Sequence, residues 1–234
     1  MEHDLTSADS GNSKVVIAYF WKVGRRSVPT AFLSMAFDRY FLRRLSNVHF
    51  AKLLGTGRGE TFTPRDADLG RWGVIAVIDE DSIKKFDESR IIKKWRKHSL
   101  SEITLTLDPI SSHGLWSKKN PFDWSITPAD NLPVVAITRA RIKWAQNFRF
   151  WRAVPPVTAS LLSSPGLIRA IGIGEAPIGL QGTFSLWENA KAIRDFAYKG
   201  VEHQRAIAAT KEFDWYSEEL FSRFAVRNMR GSFE

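Results

Sequence analysis

Five histidines, His3, His49, His98, His113 and His203, have the widest chemical scope in a chain of 234 residues that contains no cysteine. Without thiols there are no disulfides, thiolate zinc sites, iron–sulfur clusters or cysteine nucleophiles. His3 falls in a polar, acidic N-terminal stretch. His49 opens an apolar run, and His98 closes a basic helix, where a cation suits the helix C-terminus. His113 precedes Gly114 in a turn-like stretch. His203 shares a helical face with Ala206, Ile207 and Thr210, at the i, i+3, i+4, i+7 spacing. That setting suits either a hydrogen-bonded core imidazole or an axial ligand to iron. No HxH, HxxH or HExxH spacing supports a site built from several histidines.

Other patterns exclude more than they suggest. Gly55-x-Gly57-x-Gly59 is not GxGxxG, and Glu60 to Pro64 open no helix that would hold a phosphate. There is no GxSxG elbow and no carboxylate pair of the glycosidase kind. Lys84-Lys85, Arg90, Lys93-Lys94 and Arg96-Lys97 surround Trp95 and read first as a solvated helix face. Contact with nucleic acid or an anionic membrane is the functional reading of this run, but no aromatic RNA-binding signature accompanies it. Phe148-Arg149-Phe150-Trp151-Arg152-Ala153-Val154-Pro155 joins aromatics to two guanidinium groups just before an expected helix. It suits core packing or the wall of a large apolar pocket.

The elements that must position these residues occur twice. The runs ending at Gly57 and Gly174 are apolar and close on Gly-x-Gly, 117 residues apart, and the strand-like runs ending at Gly114 and Gly231 have the same separation. Periodicity predicts strands at Val15–Lys22, His49–Thr56, Trp72–Ile78 and Ser101–Leu107, with helices at Pro29–Leu45 and Asp81–Lys97. In the second half it predicts strands at Val134–Lys143, Leu167–Gly174, Gln181–Trp187 and Leu220–Val226. The helices there are Pro156–Ser163, Glu188–Tyr198 and Val201–Lys211. Each half is a βαββαβ ferredoxin-like unit, and two in tandem make a dimeric-type α+β barrel within one chain. The expected divisions are a disordered tail at 1–13, repeats at 14–114 and 133–234, and a connecting segment at 115–132 whose Trp116, Phe122 and Trp124 should pack on the surface. Lys+Arg outnumber Asp+Glu by 34 to 25, a net charge of +9, and hydrophobic residues make up 44%, so a core can form. No apolar run reaches about 18 residues, so a cytoplasmic protein is expected, with peripheral contact at the inner membrane surface open to its basic face.

Phe50-Ala51-Lys52-Leu53-Leu54-Gly55-Thr56-Gly57, Glu60-Thr61-Phe62-Thr63-Pro64, Phe150 to Pro155, Gly172-Ile173-Gly174-Glu175-Ala176-Pro177 and Trp215 to Phe221 resemble the spheroidene monooxygenase family, in order and with compatible spacing. The resemblance runs from about Ala31 to Phe233. It implies a haem b iron enzyme that uses molecular oxygen, with electrons from a donor such as a ferredoxin. The reaction implied is two hydroxylations at one carbon of a linear carotenoid, giving a ketone. On that reading His203, the one histidine of the second half, is the axial ligand and metal site. Arg139, Arg141, Arg149, Arg152 and Lys52 are the cations for the haem propionates. Phe150, Trp151, Phe184 and Trp187 would line the apolar substrate pocket, and no catalytic side chain is assigned. The rivals are a cofactor-independent monooxygenase of the same barrel class, and a non-enzymatic basic module that binds membrane or nucleic acid.

Overall fold

The β-branched and aromatic run at the start forms β1 (Lys14–Val23), and α1 (Val28–Leu42) follows with Pro29 in its first turn. The chain continues through β2 (Val48–Gly57), β3 (Ala67–Asp79), α2 (Ile83–Asp87), α3 (Arg90–His98) and β4 (Ser99–Gly114). The second half runs β5 (Val134–Ile142), α4 (Asn147–Leu162), β6 (Leu167–Gly174), β7 (Gly182–Trp187), α5 (Ala190–Lys199) and β8 (Tyr216–Gly231). The computed structural model describes residues 13–61, 63–129, 131–143, 146–177, 181–199 and 216–233, and of 147–153, 198 and 199 the backbone alone. The helix expected at Val201–Lys211, and His203 on it, lie outside the described residues, as does His3.

The eight strands close into a barrel in the order β1-β3-β2-β6-β7-β5-β8-β4, with antiparallel neighbours throughout. The halves contribute the orders 4-1-3-2 and 8-5-7-6, so the tandem ferredoxin-like α+β barrel is the fold. The 117-residue spacing now has a physical cause. At the β4–β8 seam Asp108 lies opposite Ala225, its own counterpart, with Leu107 opposite Val226 and Pro109 opposite Phe224. A local two-fold axis therefore passes through the seam. Gly114 and Gly231 end the two strands at φ 93° and 85°. A Cβ at either would run into the carbonyl of Glu219 or Glu102, respectively. At the other seam Thr56 pairs with Ile173, Gly55 with Gly174 and Gly57 with Gly172. The Gly-x-Gly runs are thus strand partners, brought together across the barrel wall.

Inside the barrel lie Val16, Phe20, Leu54, Ile137, Phe184 and Phe224, with Phe20 set edge-on to Phe184 at 4.8 Å. Trp116 and Phe122 of the connecting segment are in this core, with Trp124 packed against it, so the segment is packed down and no free linker, but its rings enter the barrel and do not lie on the surface. β4 runs on to Gly114 instead of ending at Leu107, and the chain turns back at the barrel's end with both rings inward. Two helix expectations also change. Asp81–Lys97 breaks into α2 and α3, where the Ser89 hydroxyl accepts from the Ile92 amide at 3.4 Å and caps α3. The helix expected at Pro156 begins at Asn147, with Pro155 and Pro156 inside it. The Phe148–Val154 run therefore lies within α4, not before it. Among the described residues no helix is long and apolar enough to cross a membrane.

Candidate functional site

At one end of the barrel four charged side chains meet. Lys52, on the inward face of β2, donates to Glu175 and to the Ser117 hydroxyl, both at 2.5 Å. The Arg139 guanidinium, from β5, donates to Glu175 at 2.7 Å and to Glu218 at 2.6 Å, and the Trp116 indole donates to Glu175 at 2.8 Å. The Ser117 and Lys118 amides donate to Glu218 at 2.9 and 2.6 Å. Both turn residues have positive φ, 57° and 62°, so the Glu218 carboxylate holds a turn that L side chains disfavour. Burial works to raise the Glu175 carboxyl, but Lys52, Trp116 and Arg139 outweigh it and hold it below the ordinary carboxylate range. Burial likewise opposes ionisation of Glu218, and the two amides and Arg139 overcome it. Lys52 is pulled down by burial against the attraction of Glu175. The cluster is charge-matched, two cations to two carboxylates, and it locks the turn across the barrel's end.

A different surface is open to ligand. Thr106, Thr104 and Glu102 of β4 lie opposite Ile17, Tyr19 and Trp21 of β1. Their counterparts 117 residues on, Arg223, Phe221 and Glu219, lie opposite Ala136, Thr138 and Ala140 of β5. On the helix-facing side of the sheet, then, Ile, Tyr and Trp of the first half become Ala, Thr and Ala in the second. The first half fills this layer. Tyr19 stacks on Trp21 at 5.4 Å, Trp21 on Trp95 at 5.5 Å, and Trp72 sits 5.9 Å from Trp95. In the second half one cross-strand row runs His113, Phe221, Thr138, Thr183, Gly172. Thr138 is exposed although it lies mid-strand between two paired neighbours, and Phe221 is 41% exposed. Ala136 and Ala140, on either side of Thr138 along β5, are buried, and Ala136 belongs to a cluster with Leu161, Trp187 and Ile193, so among the described residues the opening is confined to Thr138 and Phe221.

Beside this row, where β6 diverges from β2 beyond their three paired residues, lies a cavity of about 830 Å³ lined by Arg58, Arg71, Arg169, Leu69, Leu162 and Ile168. Burial and the neighbouring Arg169 outweigh Asp68 and draw the Arg71 guanidinium below its ordinary range. Glu60 and Asp68 share this lining, Asp68 at 3.9 Å from Arg71, so the cavity is a mixed surface in which three guanidinium groups outnumber two carboxylates beside Leu69, Leu162 and Ile168.

The structure brings some predicted site residues together and separates others. Lys52 and Arg139 meet, but around Glu175 and Glu218. Arg141 stands exposed at the end of β5. Arg149, Phe150, Trp151 and Arg152 lie on α4, and their side chains are outside the described residues. Phe184 and Trp187 face opposite sides of β7, the first into the barrel and the second into the helix layer. His49 pairs with Asp79 at 2.7 Å on the surface, and His98 ends α3. Sequence reasoning missed Glu175 and Glu218, both inside the motifs it singled out, and the arginines Arg58, Arg71 and Arg169.

No protein-family model matches the chain. It is 35% identical over 213 residues to spheroidene monooxygenase of Rhodobacter capsulatus, covering 89% of this chain and 88% of the relative. To the spheroidene monooxygenase of Rubrivivax gelatinosus it is 34% identical over 183 residues, 78% and 70% of the two chains. Among solved structures, an aldoxime dehydratase in complex with butyraldoxime superposes with a TM-score of 0.56 at 12% identity, over 94% of this chain and 81% of the other, a likeness of fold. With the barrel, its two seams and the quoted motifs in place over nearly the whole length, the chain belongs to the spheroidene monooxygenase family.

Proposed function

We propose that this chain is a monooxygenase that oxidises a linear carotenoid and works with haem held against the second-half sheet. The observation that carries the reading is the exchange of Ile17, Tyr19 and Trp21 for Ala136, Thr138 and Ala140, with Thr138 left exposed, in a chain whose relatives are named spheroidene monooxygenase. Haem is a flat apolar ring with two carboxylates, and a strand whose helix-facing side chains are small, beside arginines, fits such a group. Arg58, Arg71 and Arg169 line the cavity, and they are the proposed cations for the carboxylates together with Arg149 and Arg152, whose side chains lie outside the described residues. Lys52 and Arg139 are already neutralised and keep the barrel's end closed. His203 is the proposed axial ligand. His113, on the same face as Phe221 and Thr138, is the alternative within reach of the row.

Bound haem would supply oxygen activation, with electrons from a separate donor such as a ferredoxin. The chain's own residues hold the polyene and keep water away; Phe150 and Trp151 of α4 are the proposed lining. Each hydroxylation consumes one O2, two electrons and two protons and releases one water. The second at the same carbon gives a gem-diol that loses water to a ketone.

The test is the absorption spectrum of protein expressed with a haem precursor, compared with His203→Ala and His113→Ala, followed by turnover of an acyclic carotenoid under ¹⁸O2 with ferredoxin and its reductase. A Soret band abolished or shifted by His203→Ala, and a ketone product carrying label, are expected. A band altered only by His113→Ala moves the ligand. Turnover by folded, haem-free protein overturns the haem reading in favour of cofactor-independent oxygenation, and a folded protein without band or turnover leaves a binding module.

A further inference from the structure

Helix α1 is apolar on both sides, yet only one side is covered. Ala31, Ser34, Met35 and Leu42 face the first-half sheet, and Asp38 is buried with its carboxylate taking the Lys94 ammonium at 2.6 Å and the Trp95 indole at 3.0 Å. The opposite side carries Leu33, Phe37, Tyr40 and Phe41, which are 63%, 64%, 51% and 57% exposed. Their i, i+4, i+7, i+8 spacing makes one stripe about 12 Å long. An apolar stripe of this kind on a surface helix marks an interaction site.

The exposed charges of α1 and its immediate flanks are of one sign. Arg25 and Arg26 precede the helix, Arg39 lies on it, and Arg43 and Arg44 follow it, all exposed. Arg44 lies over the Tyr40 ring at 4.1 Å. The one carboxylate of the helix, Asp38, is buried and paired. A second copy of the chain docked here would set five arginines against five with no acid of the helix between them. An apolar and aromatic stripe with arginines along its border is instead the pattern that seats a helix in the headgroup region of an anionic bilayer.

We infer that α1 docks the protein on an anionic lipid surface, with Leu33, Phe37 and Phe41 in the acyl boundary and the arginines among the headgroups. This rests on α1 alone and stands apart from the reading of the second half.

Flotation of the full chain with vesicles of equal parts phosphatidylcholine and phosphatidylglycerol tests it. The protein should float at least about tenfold better than with phosphatidylcholine alone. Phe37→Glu with Phe41→Glu should lose that binding about tenfold, and Arg39→Gln with Arg43→Gln and Arg44→Gln should lose the preference for anionic lipid. The cysteine-free sequence allows a second readout that leaves the stripe intact. A polarity-sensitive dye on Ala36→Cys should brighten and shift to the blue with vesicles, while the same dye on Lys191→Cys of α5 should not. Absence of flotation, flotation indifferent to the glutamate pair, or a dye at residue 36 that stays water-exposed would overturn the inference. So would a concentration-dependent dimer that Phe37→Glu dissociates, or strong binding to DNA in place of vesicles.

Discussion

The two halves of the barrel share a backbone and differ in what fills the space between sheet and helices. In the first, Ile17, Tyr19 and Trp21 project into a layer closed by Trp72, Trp95 and Phe86, and every polar edge of those rings is used. The Trp21 indole donates to Glu102 at 2.7 Å, the Tyr19 hydroxyl donates to Asp87 at 2.8 Å, and Arg96 spans both acids. In the second, Ala136, Thr138 and Ala140 take those places and Thr138 is left exposed. Large side chains packed to this extent stabilise; in the sister half β5 supplies none at these places, and the layer beside it is built on Trp187, Phe196, Leu161 and Ile193. The difference teaches a division of labour: one copy of the unit holds the barrel together and the other keeps room.

That division is broken most severely by Trp21→Ala. The substitution should cost about 4 kcal/mol, from lost burial and a cavity that the stacked rings cannot close, read as a fall in the urea midpoint. If the first half is scaffold only, the folded fraction of this variant should keep its activity per molecule.

Next in size is Arg139→Met, which attacks the cluster at the barrel's end, where the first half's Lys52 meets the second half's Glu175. Removing the guanidinium takes the cation from Glu218 and one of two cations from Glu175, a loss of about 3 kcal/mol at neutral pH. The pH dependence separates this from simple loss of packing. In the wild type Glu175 and Glu218 are held below their unfolded value, so their contribution is complete above about pH 5 and is lost as the pH falls through the unfolded and then the folded pKa. Asp87, lowered despite burial by Tyr19 and Arg96, adds to the same acid limb. In Arg139→Met part of this lowering is lost while Lys52, Trp116 and the two amides keep the rest, so the acid limb becomes shallower. The gap to wild type should therefore be widest at neutral pH and narrow toward acid. A gap constant between pH 7 and about 4 would mean that the guanidinium matters as volume and not as charge.

Much of the barrel was legible because its signals are local and repeated. Strand β6 was read at its observed limits, Leu167–Gly174, and the recurrence of Gly114 and Gly231 at one spacing pointed to the duplication. What stayed hidden depends on which side chains meet across the fold. Arg139 looked like a free cation because Glu175 and Glu218 lie 36 and 79 residues away in sequence. Phe184 and Trp187 looked like one wall because both are aromatic, although an odd separation on a strand puts them on opposite faces. Pro155 and Pro156 looked like a helix start because proline is favoured there, whereas α4 carries them in its interior. The small side chains of β5 stood out only through register. Ala136, Thr138 and Ala140 mean little alone and much beside Ile17, Tyr19 and Trp21.

A smaller effect sharpens the comparison where the halves are alike. Gly114→Ala and Gly231→Ala each force a Cβ at positive φ toward a carbonyl of the facing strand. Each should cost about 1 to 2 kcal/mol, and the two costs should agree within about 0.5 kcal/mol, since the seam is locally two-fold and the sites are too far apart to couple. Unequal costs would show that the β4 and β8 ends have diverged as far as the helix layers have.

The smallest effect on stability is the most informative about function. Thr138→Trp restores to the second half a ring of the kind that the first half carries at the equivalent Tyr19. Because Thr138 is exposed, the indole has room, and the unfolding free energy should change by less than about 1 kcal/mol. If the row is the seat of haem, the same indole occupies the place of the ring, and the purified variant should lose its Soret absorbance while its urea midpoint hardly moves. Thr138→Ser, which keeps the space open, should retain both. A Thr138→Trp protein destabilised by 3 kcal/mol or more would mean that the layer is filled after all, and one that kept stability and haem together would move the cofactor to another surface. Read beside Trp21→Ala, the pair separates the two halves by experiment: a large ring removed where it supports the fold, and one added where its absence makes room.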